Sequence, residues 1–424
     1  MKTWYVILML LCIGLVAGCE RSSDVPESIK SAYPSEITAR VLNPLGTGIA
    51  DAPVLIGLGR IREVDPGFNP NAWVAFADGE ELAGQLIDGD EQEIVLITSL
   101  KANDNKTISL RYASEGNVER KYPKRTQAEL SHKFGGKFIK NEKGRMVYEG
   151  GVFENVEQLR VPPEHTDHTF FVRYEGPGWE SEKVGYRFYL DWRNATDIFG
   201  KKIPEPVLQN VGQDGFDSYH EMSDWGMDIL KVGDALGLGA VGFWDGEKVL
   251  RVSETDSVIC MITANGPVYS EVKTEYFGWQ TGLGKFDLTS KLSILAGDRK
   301  THHRVTTDPQ IKDLCTGIVK HEGVKIIKQT DGPTGWGYLY TYGLQSLAGD
   351  SLGMALVFRN SDIVEVTGDN LNHVVIFKPM EGTVDFYFLA AWQQEPGGIV
   401  SEKQFRQYLE NEILRLSQPP HVIL

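Results

Sequence analysis

Short runs in which hydrophobic and polar residues alternate dominate the chain, and turn dipeptides separate them. A period of two is typical of strands with one buried face. The dipeptides Asp78-Gly79, Asp245-Gly246 and Asn265-Gly266 each lie between two such runs. We expect two-residue hairpin turns there, because these residues accept a positive φ. With 45 glycines to supply turns, the pattern predicts an all-β protein. The predicted strands include Ile37–Val41, Ile94–Leu100, Ile108–Tyr112, Thr169–Tyr174, Gly185–Trp192, Leu288–Leu295, Ile318–Lys328, Leu352–Phe358 and Val384–Ala391.

One segment near the C-terminus has helical periodicity instead, and it predicts a helix over residues 401–417. Ser401 and Gln404 form a capping-box pattern, in which the hydroxyl binds a backbone N–H that the helix leaves unsatisfied. Pro419-Pro420 ends the segment. The apolar positions that fall on one face are Phe405, Leu409, Ile413 and Leu416.

The strands divide into two predicted units. Residues 35–118 form a small β domain, and residues 119–424 form a large antiparallel β-sandwich that carries the C-terminal helix. The charged stretch Arg120–Gln127 is a candidate linker between them.

The start of the chain reads as a lipoprotein signal peptide, residues 1–19. Met1-Lys2 precedes an uncharged apolar run, Trp4–Val16, that is shorter than the roughly 20 residues of a membrane span. Leu15-Val16-Ala17-Gly18-Cys19 resembles the lipobox of bacterial lipoproteins, which implies lipidation of Cys19 and a polar tether over residues 20–34. We expect a lipid-anchored protein of the cell envelope, at the outer membrane or facing the periplasm.

Charge and missing motifs narrow the possible partners. The net charge of −15 disfavours nucleic acid, because Lys and Arg contacts to phosphate supply that affinity. The sequence contains no Walker loop, dinucleotide GxGxxG, GxSxG or HExxH motif, so serine-hydrolase, nucleotide and zincin chemistry are not expected. Cys260 and Cys315 remain outside the signal, and a disulfide and two buried free thiols are equally open alternatives.

Two segments contain more charged and polar aromatic side chains than a purely structural part of a β-sandwich requires. On a strand, alternation places Arg187, Tyr189, Asp191 and Arg193 on one face, where two guanidiniums suit a sugar carboxylate or sulfate. The alternative is a solvated face with internal Arg–Asp pairs. The glycine-rich segment Ser218–Gly239 either forms a site or is a structural loop with paired charges. Its candidate side chains are Tyr219, His220, Trp225, Asp228 and Lys231.

The histidines and one aromatic run are further candidates. His165 and His168 have a spacing that allows metal binding, although a surface pair is the simpler interpretation. His302 and His303 point to opposite faces of a regular strand, and His321 is a candidate group facing a cleft. The alternating aromatics line one strand face, either as a sugar-stacking platform or as core. They are Trp336, Tyr338, Tyr340 and Tyr342.

These segments resemble a domain-of-unknown-function family of exported proteins found among polysaccharide-degradation genes of Gram-negative bacteria. The string Trp225-Gly226-Met227-Asp228 followed by Leu230-Lys231-Val232-Gly233 is its most specific part. The Gly266-Pro267-Val268 hairpin and the strand after it are similar to the galactose-mutarotase-like supersandwich, which underlies many polysaccharide lyases. Some members of such gene clusters look like oligosaccharide dehydratases that act on terminal uronic acids in ulvan breakdown. The other resembling stretches are Gly185–Lys201, Tyr219–Trp244, Asn265–Val272 and Thr316–His321.

Residues and resemblance together predict β-elimination, of the dehydratase or lyase type, at a uronic acid residue of an anionic oligosaccharide. His220 is the first choice of base and Tyr219 the second, with His321 or Tyr338 as proton donor. No redox cofactor or metal is required, although a divalent cation could replace one arginine. The predicted substrate-binding residues are Arg187, Arg193, Asp228, Lys231, Trp225 and Trp336.

The prediction has conditions and alternatives. It requires Arg187 and Arg193 to lie on the same side of the sheet as His220, and it expects their replacement by Ala to abolish activity without unfolding. One alternative is a glycoside hydrolase with a carboxylate pair from Glu221, Asp224 and Asp228, which must lie about 5–10 Å apart. The other is a non-catalytic glycan-binding surface lipoprotein.

Overall fold

A computed structural model describes residues 25–89, 91–118, 120–215, 218–379 and 382–424. The predicted signal peptide, Cys19 and most of the tether lie outside these residues and stay predictions. Among the described residues, no helix is both long enough and apolar enough to cross a membrane.

The described chain contains 31 strands and three α-helices. The helices are α1 (Glu27–Ala32), α2 (Leu58–Val64) and α3 (Glu402–Ser417). The first strands are β1 (Ser35–Leu42), β2 (Ile49–Gly57), β3 (Trp73–Ala77), β4 (Glu80–Glu81), β5 (Gly84–Ile87), β6 (Glu93–Leu100), β7 (Asn105–Tyr112), β8 (Thr126–Glu129), β9 (Ser131–Phe134), β10 (Lys137–Lys140), β11 (Met146–Glu149), β12 (Val152–Asn155), β13 (Gln158–Arg160), β14 (Gly178–Ser181), β15 (Val184–Phe188), β16 (Thr196–Lys201) and β17 (Gly226–Asp228). The remaining strands are β18 (Leu238–Trp244), β19 (Val249–Arg251), β20 (Ser257–Asn265), β21 (Tyr269–Thr281), β22 (Gly284–Leu295), β23 (Lys300–Asp308), β24 (Leu314–Val319), β25 (Ile326–Gln329), β26 (Trp336–Leu344), β27 (Ser351–Arg359), β28 (Ile363–Gly368), β29 (Asn372–Phe377), β30 (Thr383–Trp392) and β31 (His421–Ile423).

The predicted antiparallel β-sandwich with a C-terminal helix is confirmed. A nine-stranded sheet, β13-β20-β21-β22-β23-β30-β27-β26-β25, forms one layer. Two five-stranded sheets, β17-β16-β15-β14-β8 and β19-β18-β24-β29-β28, pack against its inner face. Trp179 of β14 stacks on Tyr186 and meets Phe388 of β30 edge-on, so bulky aromatics join the layers and fill the main core.

The outer face of the nine-stranded sheet has two covers. Helix α3 packs on β26 and β27, where Phe405 and Leu409 are fully buried. The Ser401 hydroxyl accepts from the Gln404 N–H at 3.3 Å, and the Gln404 side chain accepts in return from the Val400 N–H at 3.0 Å. This reciprocal cap confirms the predicted start of the helix.

Two small sheets with their own apolar core form the second cover. Strands β31-β1-β7-β3-β4 and β2-β6-β5 enclose a cluster that includes Ile37, Val54 and Leu96, and Val422 of β31 belongs to it. The C-terminal strand thus returns to pair with β1. Where the domain boundary lies stays a prediction.

Specific contacts hold this small sandwich against the nine-stranded sheet. The Gln85 side chain caps the β20–β21 hairpin: its oxygen accepts from the Val268 and Tyr269 N–H groups, and its amide donates to the Tyr269 carbonyl at 3.0 Å. Arg125 binds Asp51 on one side and Glu182 on the other. These contacts fix the distance between two surfaces that face each other across a cleft.

Several local predictions need correction. Thr169–Tyr174 is not a strand, because Phe170 and Tyr174 have positive φ values of 57° and 36°. The strand predicted to reach Trp192 ends at Phe188. The run Ile318–Lys328 is two strands, β24 and β25, because the chain turns at Gly323 with φ 76°.

All three predicted turns lie in hairpins, but the predicted two-residue loop is confirmed at one position only. Asp78 and Gly79 both have positive φ, 52° and 77°, and connect β3 to β4. Asp245-Gly246 lies in the β18–β19 hairpin, whose loop contains four residues, Asp245 to Lys248, with Gly246 at φ 104°. The Asn265 hairpin exists, but its loop contains three residues, Gly266 to Val268.

The two cysteines are buried free thiols, so the disulfide alternative is excluded. Cys260 packs in the main core, whereas Cys315 lies in a separate cluster with Val374 and Ile376.

Candidate functional site

The predicted residues of the first two segments meet in a buried ionic network beneath the chain between β16 and β17. Arg187 Nη2 donates to Asp228 Oδ2 at 2.6 Å and to Asp197 Oδ2 at 2.8 Å. Arg187 Nη1 donates to the Tyr219 hydroxyl at 2.9 Å, and the Tyr189 hydroxyl donates to Asp197 at 2.6 Å. The side chains of Arg187, Asp197 and Asp228 are each 1% exposed, so the network is closed to solvent.

One guanidinium between two carboxylates leaves one carboxylate undercompensated. Burial raises the pKa of Asp228 well above its usual range, and the neighbouring Asp197 raises it further, against the opposing effect of Arg187. Burial also raises the pKa of the Tyr219 hydroxyl, so Tyr219 is a poor base at neutral pH.

His220 and Arg193 border the same network. His220 Nε2 lies 3.4 Å from Asp228 Oδ2, and the His220 side chain is 42% exposed. Arg193 binds Glu175 and Asp191 at 2.8 and 2.5 Å. The condition that both arginines share a side with His220 is therefore met.

The predicted role of the arginines is nevertheless wrong for Arg187. Its side chain is buried and its donors are committed to carboxylates of the chain itself, so it cannot clamp a substrate carboxylate. Arg193 is also paired with carboxylates of the chain itself, as expected from the alternative interpretation with internal Arg–Asp pairs. Asp228, 1% exposed, is equally unable to touch a sugar or to serve in a hydrolytic pair.

The histidine pair does not form a metal site. His165 is buried and bonded to the Thr169 hydroxyl at 2.7 Å, whereas His168 binds Asp167. Ligand atoms of Asp167, His168 and Glu175 lie within 4.8 Å of one another. The Arg193 guanidinium already binds both of these carboxylates, at 2.9 and 2.8 Å, so a cation would have to displace it.

The other predicted residues lie elsewhere. Tyr338 is buried beneath α3, packed on Tyr340 at 5.6 Å, so it cannot be the proton donor for His220 on the far side of the sandwich. Tyr338, Tyr340 and Tyr342 belong to the core beneath α3, which confirms the simpler alternative for these three residues, whereas Trp336 also lines the cleft described below. Trp225 packs half-buried on Phe199, 6.0 Å between centroids. His321 neighbours Lys231 at the end of β24, outside the Arg187 network.

A cleft of about 630 Å³ lies between the small sandwich and the outer face of the nine-stranded sheet. Its floor consists of alternate side chains from β21, β22, β23, β26, β27 and β30, and its roof comes from β2, β6 and the residues before β6. The floor residues include Tyr269, Lys291, Lys300, His302, Arg304, Trp336, Arg359 and Tyr387, and the roof residues include Asp51, Asp88, Glu91 and Glu93.

An oriented imidazole stands at the centre of this floor. His302 Nε2 bonds to Asp385 Oδ1 on the paired strand β30 at 2.9 Å, and Arg304 Nε donates to the same oxygen at 3.2 Å. The His302 ring stacks on Tyr387, with centroids 4.5 Å apart and planes 17° apart. Asp385 fixes Nε2 as the N–H of the neutral ring, so Nδ1 carries the lone pair.

Cations line the floor of the cleft together with the imidazole, and the carboxylates of Asp51, Asp88, Glu91 and Glu93 line the roof. Lys300 is paired with Asp298 at 2.6 Å, and the Arg359 guanidinium lies over the Trp336 ring at 4.7 Å. Lys291 has no ion pair among the described residues, which leaves its charge for a ligand. Although burial raises it, the net pKa of Asp385 is lowered by the bonds from His302 and Arg304, so this carboxylate stays ionised.

The sequence analysis missed most of this cleft. It did predict that His302 and His303 face opposite ways, and this is confirmed: His303 is 2% exposed and bonds to Ser290 at 2.8 Å. The same alternation places Arg304 on the same strand face as His302, so the sequence alone could have indicated a charged face on this strand. Asp385 lies 83 residues after His302 in the sequence, and its strand pairs with that of His302 through the register His302↔Tyr387, which no local pattern predicts.

Comparison with known proteins adds a family and a distant structural likeness. A family model described as Domain of unknown function (DUF4861) matches residues 41–422. No curated protein matches. Among solved structures, the chain is similar to an alpha-mannosidase from Enterococcus faecalis V583, with 10% identity, TM-score 0.47, and coverage of 93% of this chain and 46% of that one. It is also similar to a protein in glycosyl hydrolase family 38 from Enterococcus faecalis, with 9% identity, TM-score 0.45, and coverage of 91% and 47%.

The chain therefore spans about half the length of these two solved proteins. A likeness at this level carries no argument about chemistry, which rests on the residues of the cleft.

Proposed function

The chain belongs to the DUF4861 family, whose description assigns no activity, and we propose that it is a carbohydrate-active enzyme. Its reaction is β-elimination, of the dehydratase or lyase type, at a uronic acid residue of an anionic oligosaccharide bound in the cleft. One observation carries this proposal. It is the Asp385–His302 pair, whose free Nδ1 lies among cations on the floor of a 630 Å³ cleft.

The reaction begins at the C5 proton of the uronic acid. This proton is weakly acidic because it lies next to a carboxylate, and its removal requires neutralisation of that charge. Lys291 and Arg359 are the cations assigned to the carboxylate, because neither is committed to a carboxylate of the described chain. Fixed charges aimed at developing charge contribute about 3–4 kcal/mol each.

His302 Nδ1 takes the C5 proton. The electron pair of the C5–H bond becomes the C4–C5 double bond, the C4–O4 bond breaks, and O4 leaves with one proton as water or as a sugar hydroxyl. Asp385 holds the imidazole orientation and stabilises the imidazolium that forms. A base positioned in this way accelerates proton transfer about 10²–10⁴-fold.

The aromatic floor supports binding of the sugar ring. Tyr387 and Trp336 lie 5.9 Å apart and both line the cleft. Burial raises the pKa of the Tyr387 hydroxyl, so it keeps its proton at neutral pH and is the proposed donor to O4. Trp336 thus retains the substrate-binding role predicted from sequence, whereas the base moves from His220 to His302.

The test follows the conjugated alkene that elimination creates. The full chain is incubated with uronic-acid oligosaccharides, and absorbance in the conjugated-alkene band is recorded with reducing-end release. The wild type should raise the absorbance, and His302→Asn should reduce the rate at least 100-fold. The same substitution at His220 should leave the rate within about twofold, because His220 lies outside the cleft.

Three results would contradict the proposal. Loss of activity in His220→Asn with retention in His302→Asn would place the site at the Arg187 network. Reducing ends released without alkene absorbance would indicate a hydrolase, and binding without either change would indicate a glycan-binding protein.

A further inference from the structure

The base and the proton donor of the proposed reaction come from the same wall of the cleft. His302 lies on β23 and Tyr387 lies on β30, and the two residues are directly opposite each other in the register of the two strands. Side chains at opposite positions of a strand pair project from the same face of the sheet. Here both of them line the floor of the cleft. A sugar bound between floor and roof therefore turns one side to both groups.

The two side chains also touch each other. Their ring centroids lie 4.5 Å apart and their planes are 17° from parallel, which is a stacked contact. A sugar ring placed between them would need two contact distances, about 8 Å. His302 and Tyr387 therefore cannot approach a sugar from opposite faces.

Other floor residues hold both rings in this position. Asp385 fixes the His302 ring through the bond to Nε2 at 2.9 Å. Tyr387 also packs against Trp336, with centroids 5.9 Å apart. These contacts tie both rings to the floor, so neither group is placed to act from the roof side.

Elimination across C4 and C5 of a uronic acid follows one of two courses. A base and a donor on opposite faces of the sugar require H5 and O4 to be trans, whereas two groups on one face require them to be cis. Each group must lie about 3–3.5 Å from the atom on which it acts. H5 and O4 are cis in D-glucuronate and D-mannuronate. They are trans in D-galacturonate, L-iduronate and L-guluronate.

We infer that this protein catalyses syn elimination, and that its substrates are uronic acids in which H5 and O4 lie on the same face of the ring. The inference rests on the proposed function and adds the stereochemical class of the substrate. His302 takes H5, the C5–H electron pair forms the C4–C5 double bond, and O4 leaves with the proton of the Tyr387 hydroxyl. The imidazolium and the phenolate that remain are neighbours on the floor, and transfer of one proton between them restores both.

The opposite course would need a donor on the roof. Glu93 of β6 is the roof group to test, because burial raises its pKa and the neighbouring Glu91 raises it further, although Arg304 on the floor opposes them. An anti elimination by His302 and Glu93 would divide base and donor between the large sheet and the small sandwich.

Matched substrates test the inference. Oligosaccharides with glucuronate or iduronate at the same position differ only at C5, and both give the same unsaturated product, so alkene absorbance compares them directly. The trans isomer places H5 or O4 out of reach and loses acid or base catalysis, which contributes about 10²–10⁴-fold. We expect kcat/KM for glucuronate to exceed that for iduronate at least 100-fold. A galacturonate oligosaccharide should react as slowly as the iduronate one.

Tyr387→Phe tests the donor, because it keeps the ring that stacks on His302 and removes only the hydroxyl. Its rate on the glucuronate oligosaccharide should fall about 100-fold. Fluoride leaves without a proton, so a 4-fluoro glucuronate should bring the variant to within about tenfold of the wild type. A purely structural role of Tyr387 would not give this rescue. Tyr338→Phe, on the same sheet but beneath α3, should match the wild type on both substrates.

The outcomes separate this inference from the proposed function. Equal or faster turnover of iduronate that is still lost in His302→Asn would overturn the inference and leave the proposed elimination standing. A loss in Glu93→Gln that 4-fluoro glucuronate rescues, with no such rescue in Tyr387→Phe, would assign the donor to the roof and also overturn it. Alkene absorbance from none of the three oligosaccharides would overturn the proposed function together with the inference.

Discussion

The Arg187 guanidinium and the Asp228 carboxylate meet at 2.6 Å with both side chains 1% exposed. The sequence analysis expected these two residues to lie close together. Because both are buried, however, they stabilise the fold and do not bind a substrate. They hold the five-stranded sheet and the chain that covers it together, and the site of the proposed reaction is the cleft on the other side of the sandwich.

Arg187→Met tests this structural role. Removal of the guanidinium leaves Asp197 and Asp228 buried without a cation, and breaking a buried pair in this way costs about 3–5 kcal/mol. The free energy of unfolding, measured in urea, should fall by that amount. Arg406→Met is the matched control, because Arg406 and its partner Glu410 are half-exposed and such pairs contribute at most about 1 kcal/mol. Equal stability of the two variants would show that the Arg187 network is not structural.

Lys291→Gln tests charge neutralisation in the cleft. The variant loses a cation assigned to the substrate carboxylate, so kcat/KM for elimination should fall about 10²–10³-fold. Lys285→Gln lies on the same strand, but Lys285 is 54% exposed and paired with Asp256, so its activity should stay at the wild-type level. The two variants should unfold at similar temperatures, which separates a chemical effect from a folding effect. Indistinguishable turnover in both would remove Lys291 from the mechanism.

His303 should make the fold sensitive to acid. Burial lowers its pKa to about 3, whereas a histidine in the unfolded chain titrates near 6.5. As the pH falls, the histidine of the unfolded state therefore binds a proton before that of the folded state does. Below about pH 6.5 the free energy of unfolding decreases by about 1.4 kcal/mol per pH unit.

His303→Asn should remove this contribution and reduce the slope of unfolding free energy against pH between 6.5 and 4. Phe386→Leu packs less well against the same ring but does not titrate, so it should lower stability without changing the slope. A wild-type slope in His303→Asn would contradict the assignment.

The two thiols provide a simple check on the core. Burial raises the pKa of Cys260 to about 12 and also raises that of Cys315, so neither should react with a thiol reagent in the native state. Both should react fully in denaturant, and reductant should leave stability unchanged. Detection of a disulfide between them by mass spectrometry would overturn this prediction.

The sequence predicted those parts of the fold that depend on local order. Alternation identified strands such as Leu288–Leu295 and Val384–Ala391, and the Ser401 cap located α3. It failed at Thr169–Tyr174, where residues with positive φ break an otherwise strand-like pattern. Tertiary contacts hold these residues in place, and periodicity cannot report them.

The site was predicted less well, for a related reason. Polar residues near one another in sequence, such as Tyr219 and Asp228, were expected to face a substrate, but their burial depends on a covering segment that no spacing reveals. The cleft depends on distant strands that place Asp385 beside His302. Two sequence features pointed to it, the alternation of His302 with Arg304 and the candidate aromatic Trp336, but neither could be assigned to a site until their strands were known to face a cavity.

The return of β31 to β1 means that the small sandwich is joined to the rest of the chain twice, once before β8 and once after α3. A body attached by a single strand of chain can swing away from its neighbour, whereas one attached at two points can rotate only about the line between them. The cleft can therefore open only by rotation of the small sandwich about this one axis. For the proposed oligosaccharide, this limits how far the cleft can widen during binding.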